Sequence, residues 1–242
     1  MSEAKMPEER TDGARLTGAD PAAARSLKQI AYETLKQKII TCEILPGTLL
    51  TEDMLCEELK ASRTPVRDAV SRLEQERLVS IKPKRGIRVS RVSLNSIQEL
   101  FAVRLELAPF IVLNYGNRIS DQVYVRFLQE FSRTDLTMEE SFRQDGEFHQ
   151  MFVDASGNRY LKAIHEMVRD QVTRYRILSL TGNRLQSTQE EHREITVRCL
   201  SGDWEGAALR MKEHIQNSKM AIIRYVTETN RNAHNVFQEE ED

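Results

Sequence analysis

Apolar residues recur along this chain at helical spacing almost from end to end. Leu27, Ile30, Ala31, Leu35 and Ile39 form one stripe at intervals of three and four. Pro46-Gly47 interrupts the pattern, and Thr51 stands where an N-cap would open a short helix carrying Leu55 and Leu59. A tight turn at Lys60-Ala61 follows, then Ser62 as the expected N-cap of a third helix, Arg63 to Gln75. Val66, Ala69, Val70 and Leu73 fall at i, i+3, i+4 and i+7 of that helix and predict a continuous buried face. The period then changes. Leu78-Val79-Ser80-Ile81 and Ile87-Arg88-Val89 flank Lys82-Pro83-Lys84-Arg85-Gly86, which predicts a β-hairpin with a basic tip. Three helices followed by a hairpin predict a winged helix-turn-helix over residues 25–92.

From Ser93 the helical period returns and predicts six helices, at about 94–115, 120–133, 136–154, 158–181, 187–200 and 204–228. Their breaks fall near Gly116-Asn117, Ser156-Gly157, Gly182-Asn183 and Ser201-Gly202. No segment of 20–50 residues repeats, so residues 93–228 predict a bundle and not a solenoid. The fold class is therefore mainly α: an N-terminal winged helix-turn-helix and a C-terminal six-helix antiparallel bundle. Residues 1–24 read as a disordered tail and 229–242 as an acidic one.

Charge separates the two regions. The 242-residue chain has a net charge of only -2. Residues 26–92 carry 13 Lys/Arg against 9 Asp/Glu, a net of +4; residues 93–242 carry 18 against 23, a net of -5. A basic module joined to an acidic body fits DNA binding by the first part only. Cys42, Cys56 and Cys199 are scattered, without CxxC spacing, and read as reduced thiols. No apolar run approaches the roughly 20 residues of a membrane span, and the N-terminus is too polar for a signal peptide. A cytoplasmic protein with no membrane partner is expected.

The solvent face of the third helix opens with Arg63, Thr64 and Arg67, followed by Arg72. A recognition helix meets base edges with its N-terminal residues, and arginine suits both guanine and phosphate. At the hairpin tip Lys82, Lys84 and Arg85 can hold the DNA backbone, and Gly86 lets the chain pass close to it. The strings LPGTLLTE (45–52), ASRTPVRDAV (61–70) and KRGIRV (84–89), with Leu73-Glu74 and Leu78-Val79, closely resemble the GntR family of bacterial regulators. The resemblance implies that Ser62, Arg63, Thr64 and Arg67 contact the operator, with Gly86 in the wing. Lys60 departs from the family, which usually has glycine there; a left-handed backbone would cost lysine about 1 kcal/mol.

A second constellation lies in the bundle. Phe142, Asp145, His149 and Phe152 follow a 3-4-3 spacing, which puts an aspartate and a histidine in a core-facing stripe. A buried carboxylate there needs compensation, and a cation supplies it. His192 shares a stripe with Ile195 and Cys199, and His214 with Met211, Ala207 and Ser218. Both lie eleven residues from Asp203, so a helical hairpin at Ser201-Gly202 would set them level. Three imidazoles and a carboxylate at one point make a metal site. His165 mirrors His149 about Gly157 and could join by register, but it flanks the Leu161/Ile164/Val168 stripe and ranks as pocket-lining.

Residues 95–228 resemble the FCD ligand-binding domain of the FadR subfamily of GntR regulators. The strings that carry this are LFAVRLEL (100–107), DGEFHQMF (145–152), SGN (156–158), HREI (192–195) and GDWEGA (202–207), leading to His214. The resemblance implies Asp145, His149, His192 and His214 as ligands. Ala108 stands where the family often has a glutamate, so a local ion pair is missing. The ligand types suit Zn, Ni, Mn or Fe without choosing among them. Arg104, three and four residues from Leu107 and Leu100, points inward and suits a small carboxylate effector; an internal salt bridge, for instance with Glu106, is the alternative. Arg174 and Arg176 are weaker candidates for that carboxylate. The expected function is a transcriptional repressor whose affinity for a pseudo-palindromic double-stranded operator is set by a small organic acid at a metal site, acting as a homodimer. The alternatives are a metal-dependent hydrolase or lyase, against which no HExxH-type base appears, and a direct metal sensor.

Overall fold

The chain runs α1 (Leu27–Ile40), β1 (Leu49–Leu50), α2 (Glu52–Glu58), α3 (Arg63–Gln75), β2 (Val79–Lys82) and β3 (Gly86–Val89), then α4 (Leu94–Tyr115), α5 (Asp121–Glu130), α6 (Met138–Ser156), α7 (Arg159–Ser179), α8 (Gly182–Leu200) and α9 (Trp204–Asn232). The computed structural model describes residues 26–82, 85–179 and 182–232. The expected tail at 1–24, the wing residue Lys84 and the end of the acidic tail lie outside them. Among the described residues the fold is mainly α: a winged helix-turn-helix followed by six helices.

The first six elements enclose a core of Ala31, Leu35, Ile39, Leu55, Val66, Ala69, Val70, Leu73 and the sheet residues Val79, Ile87 and Val89. Thr51 caps α2, its hydroxyl accepting the Met54 amide. Ser62 holds the N-cap position of α3 but makes no side-chain cap bond. Lys60 adopts φ 47°, the left-handed conformation that glycine would occupy without strain. Leu27 and Ile30 are exposed, although they belong to the predicted α1 stripe. Tyr32 is buried beside that face instead, under the Arg72 guanidinium, 3.5 Å from its ring centre. The hairpin gains a third strand that the apolar pattern does not reveal: β1 pairs with β3, giving the order β1-β3-β2. Gly86 has φ +101°, and a Cβ there would stand 2.5 Å from the Leu50 carbonyl oxygen. The close approach that glycine permits is therefore to β1 of the same sheet.

Capping sets the bundle's helix starts. Ser93 with Ser96, and Thr137 with Glu140, form capping boxes at α4 and α6. Gly157 ends α6 at φ 61°, and the Asn158 side chain accepts the Tyr160 and Leu161 amides at the start of α7. α8 begins at Gly182, five residues before the predicted start, and α9 continues to Asn232, past the predicted end at 228. α4 lies along α9, α9 along α8, and α8 against α5, around a core rich in rings: Phe101, Tyr124, Phe127, Phe148, Phe152 and Tyr175.

The two cores meet through α7. Lys36 of α1 reaches Asp170 at 2.7 Å. The Gln171 amide donates to the carbonyls of Glu76 and Arg77 at 3.1 and 3.2 Å, and Arg174, wholly buried, donates to the Ser90 carbonyl at 2.5 Å. Arg174 is thus an interdomain tie and does not serve a carboxylate ligand.

Candidate metal centre and DNA-facing surface

α6 contributes Asp145 and His149, α8 His192 and α9 His214, all four buried. One ligand atom from each lies within 4.8 Å of every other. His149 Nε2 and His192 Nε2 each stand 3.3 Å from His214 Nε2. Asp145 Oδ1 is 3.5 Å from His192 Nε2 and 3.9 Å from His149 Nε2. Two nitrogens bonded to one ion at roughly 2.1 Å, at angles of about 90–109°, are separated by about 3.0–3.4 Å. The imidazole spacing fits that requirement. Asp145 Oδ1 is buried without a hydrogen-bond partner, an arrangement that a cation would relieve.

The surroundings orient these groups. Phe148 and Phe131 hold the His192 ring, their centres 4.6 and 5.1 Å away. His214 Nδ1 donates to Glu191 Oε2 at 2.7 Å, which leaves the Nε2 lone pair facing the cluster. Glu191 is fixed in turn by Arg184, at 2.7 and 2.9 Å, and by the Asn217 amide at 2.9 Å. Burial alone would raise the Glu191 carboxyl; the hydrogen bonds from His214 and then Arg184 outweigh it and hold the group down to about 2. Burial holds the imidazoles of His149 and His192 well below their ordinary range, in the neutral form that binds metal. Burial would raise the Asp145 carboxyl, but the Arg176 guanidinium, bonded to its Oδ2, keeps it ionised.

Arg104 Nη2 donates to His149 Nε2 at 3.1 Å, and its Nη1 has no partner. Its partner is therefore a histidine of the cluster and not Glu106. Burial lowers this guanidinium to about 10, still a cation at neutral pH. Beside the cluster a cavity of about 260 Å³ opens, lined by Arg104, Arg176, Arg169, His165, Thr173 and a wall of Val, Ile, Leu and Phe. His165 stands in this wall and outside the four-residue cluster, its buried Nε2 unpartnered. Ile164, in the predicted α7 stripe, is exposed at 39% and His165 faces in, because the buried side of α7 turns one residue further than the apolar spacing suggests. Sequence reasoning missed Glu191 and Arg184, whose Arg-x6-Glu spacing on one helix is a common surface pattern.

On the winged helix, Ser62, Arg63, Thr64 and Arg67 are exposed side by side at the start of α3. Arg63 and Arg67 are paired with acids of α2: Arg63 with Asp53 at 2.9 Å and Arg67 with Glu52 at 2.9 Å. Arg72 turns away from this face to Tyr32 and Gln29. Arg85 is exposed beside the wing.

Two family profiles cover most of the chain. Residues 27–89 match the bacterial regulatory proteins of the gntR family and residues 99–217 the FCD domain. An HTH-type transcriptional regulator in an unstable DNA locus of Streptomyces ambofaciens is 30% identical over 79% of this chain and 83% of its own. The crystal structure of a GntR transcriptional regulator from Rhodococcus sp. RHA1 aligns with TM-score 0.69 and 20% identity, over 81% of this chain and 97% of that one. The metal-free FCD domain of the transcriptional regulator TM0439 aligns with TM-score 0.51 and 25% identity, over 57% and 98%. FCD domains can bind metal, and GntR regulators bind DNA operators, typically as dimers. No described helix is long and apolar enough to cross a membrane. The chain belongs to the GntR family as an FCD-domain protein: a DNA-binding transcriptional regulator and not an enzyme.

Proposed function

We propose that this regulator is a cytoplasmic repressor that binds a pseudo-palindromic operator as a homodimer and is controlled by a small organic acid bound beside a divalent transition metal in the bundle. The observation that carries the reading is the convergence of His149, His192, His214 and the unpartnered Asp145 Oδ1 at the head of a cavity lined by Arg104 and Arg176. Three neutral imidazoles and one carboxylate would hold a divalent ion at net +1, which favours an anionic ligand. The ion supplies Lewis acidity toward a carboxylate. Arg104 and Arg176 would orient that carboxylate, and the apolar wall limits its size. Zn, Ni, Mn and Fe all suit the donors.

Ser62, Arg63, Thr64 and Arg67 would read the operator from the major groove, while Lys84 and Arg85 would hold the backbone. Two-fold pairing of winged helices requires two related half-sites. Repression is the sign we assign because a dimer seated on both half-sites occludes the duplex it covers. The test is selection of genomic DNA fragments by the purified protein, with elemental analysis and sedimentation of the same preparation. About one first-row metal per chain, and a dimer on an inverted repeat that an added organic acid releases, are expected. A metal-free monomer tightly bound to one asymmetric site would overturn the reading.

A further inference from the structure

α7 is a partition between the cavity and the DNA-binding module. His165, Val168, Arg169, Val172, Thr173 and Arg176 line the cavity. Asp170, Gln171 and Arg174 hold the winged helix. At 100° per residue the two sets centre on opposite sides of the helix. One cavity-lining side chain reaches round to the far side. Arg169 Nε and Nη2 donate to Asp170 Oδ1 at 3.2 and 3.0 Å, while its Nη1 donates to Gln150 Oε1 of α6 at 3.3 Å. The other oxygen, Asp170 Oδ2, stands 2.7 Å from Lys36 Nζ of α1. Lys36 also meets Glu76 Oε2 at 2.8 Å and the Tyr32 hydroxyl at 3.0 Å, and that hydroxyl donates to Glu76 Oε1 at 2.5 Å. Asp170 is 6% exposed, so its carboxylate is shared between one cation of the cavity wall and one of the winged helix, with little water.

We propose that Asp170 is the coupler through which an anion in the cavity loosens the winged helix, by drawing Arg169 away from it. The proposal rests on the reading that the cavity takes an anionic effector. Two cations, Arg169 and Lys36, now balance two carboxylates, Asp170 and Glu76. With Arg169 turned to a ligand, Lys36 alone faces both acids, the buried Asp170 and the half-buried Glu76. Removing a partner of a buried carboxylate is costly because Asp170 itself stays desolvated while the winged helix covers it. The undocked winged helix lets water solvate the carboxylates, so the anion favours undocking through its differential contact with Arg169.

The test is a double-mutant cycle on the full-length protein, read by hydrogen–deuterium exchange of the 76–80 turn, where the Arg77 and Leu78 amides bond to α3 carbonyls at 2.9 Å. Arg169→Gln and Lys36→Met should each speed exchange there about threefold or more, and the double variant, which leaves both carboxylates without a cation, should speed it by more than the product of the two single effects. Arg169→Lys should restore slow exchange. Sodium malonate, against equal ionic strength of sodium chloride, should speed exchange in the wild type and leave Arg169→Gln unchanged. A double effect no larger than that product, or wild-type exchange in Arg169→Gln, would overturn the coupler. A malonate effect that persists without Arg169 would overturn the route, and none in the wild type would overturn it for dicarboxylates. The cycle needs neither metal nor operator, so it can fail while the proposed function stands, and the reverse.

Discussion

The two hydrophobic cores of this protein are built on different rules. The winged helix is filled by aliphatic side chains and Tyr32, and every buried polar residue among the described ones, from Gln144 to Ser218, belongs to the bundle. In the first module the candidate chemistry is outside: Arg63, Thr64 and Arg67 are exposed on a helix whose opposite face is saturated with Val66, Ala69, Val70 and Leu73. In the second it is inside, with three imidazoles, a carboxylate and two guanidiniums enclosed by phenylalanine rings. Surface chemistry of the first kind can change with little effect on folding. Interior chemistry of the second kind cannot, because each group there is also a packing and desolvation problem.

The double variant His192→Ala/His214→Ala tests the interior half most severely. Full loss of bound metal is expected, with a melting temperature lower by roughly 10 °C, the scale for losing a ligand held at about 1,000 times its dissociation constant. Metal retained in elemental analysis would remove both residues from the ligand set. A milder change in the same region is Glu191→Gln, which frees His214 Nδ1 from its carboxylate. Metal affinity should fall by about 10- to 100-fold in a competition titration, with the fold intact. Equal affinity would mean that the carboxylate does not govern the orientation of His214.

On the exterior the pattern should invert. Arg67→Ala should weaken operator binding by about 1–3 kcal/mol at fixed salt and leave the melting temperature nearly unchanged, since its exposed pair with Glu52 contributes little. Lys84→Ala should weaken all sequences alike and reduce the salt slope by about one unit. A large stability change in either variant would break the contrast between the modules. The smallest expected effect concerns His165. Burial, with Arg104 next, lowers its pKa from 6.5 to about 4. Above about pH 6.5 the imidazole is neutral folded or unfolded; as pH falls from 6.5 toward 4 the unfolded chain takes the proton first and stability declines. His165→Gln should therefore flatten the drop in urea midpoint between about pH 7 and pH 5, and an unchanged slope would assign that drop to other groups.

Residues whose environment is set by their own helix were legible in the sequence. The α3 face, the 3-4-3 stripe of α6 and the level placement of His192 and His214 across the Ser201-Gly202 turn all follow from 3.6-residue periodicity. Contacts made across elements left no such mark. β1 is two residues long and exists because β3 lies beside it. Leu27 and Ile30 fit the α1 stripe but are exposed, and Arg72 has the spacing of a DNA-facing residue while Tyr32 provides its seat. Glu191 and Asp170 read as ordinary helix-surface acids until His214 and Lys36 are placed against them.

The pairing of Arg63 and Arg67 with Asp53 and Glu52 bears on how the protein searches a chromosome. Any duplex that engages these arginines must first part them from carboxylates already in position, and those carboxylates then face the phosphates. Random sequence offers phosphate attraction alone, which such an exchange offsets in part, whereas a cognate site adds base-edge hydrogen bonds that the acids cannot imitate. If Arg63 and Arg67 meet the operator as proposed, the acids of α2 would weaken contact with any duplex that offers phosphates alone.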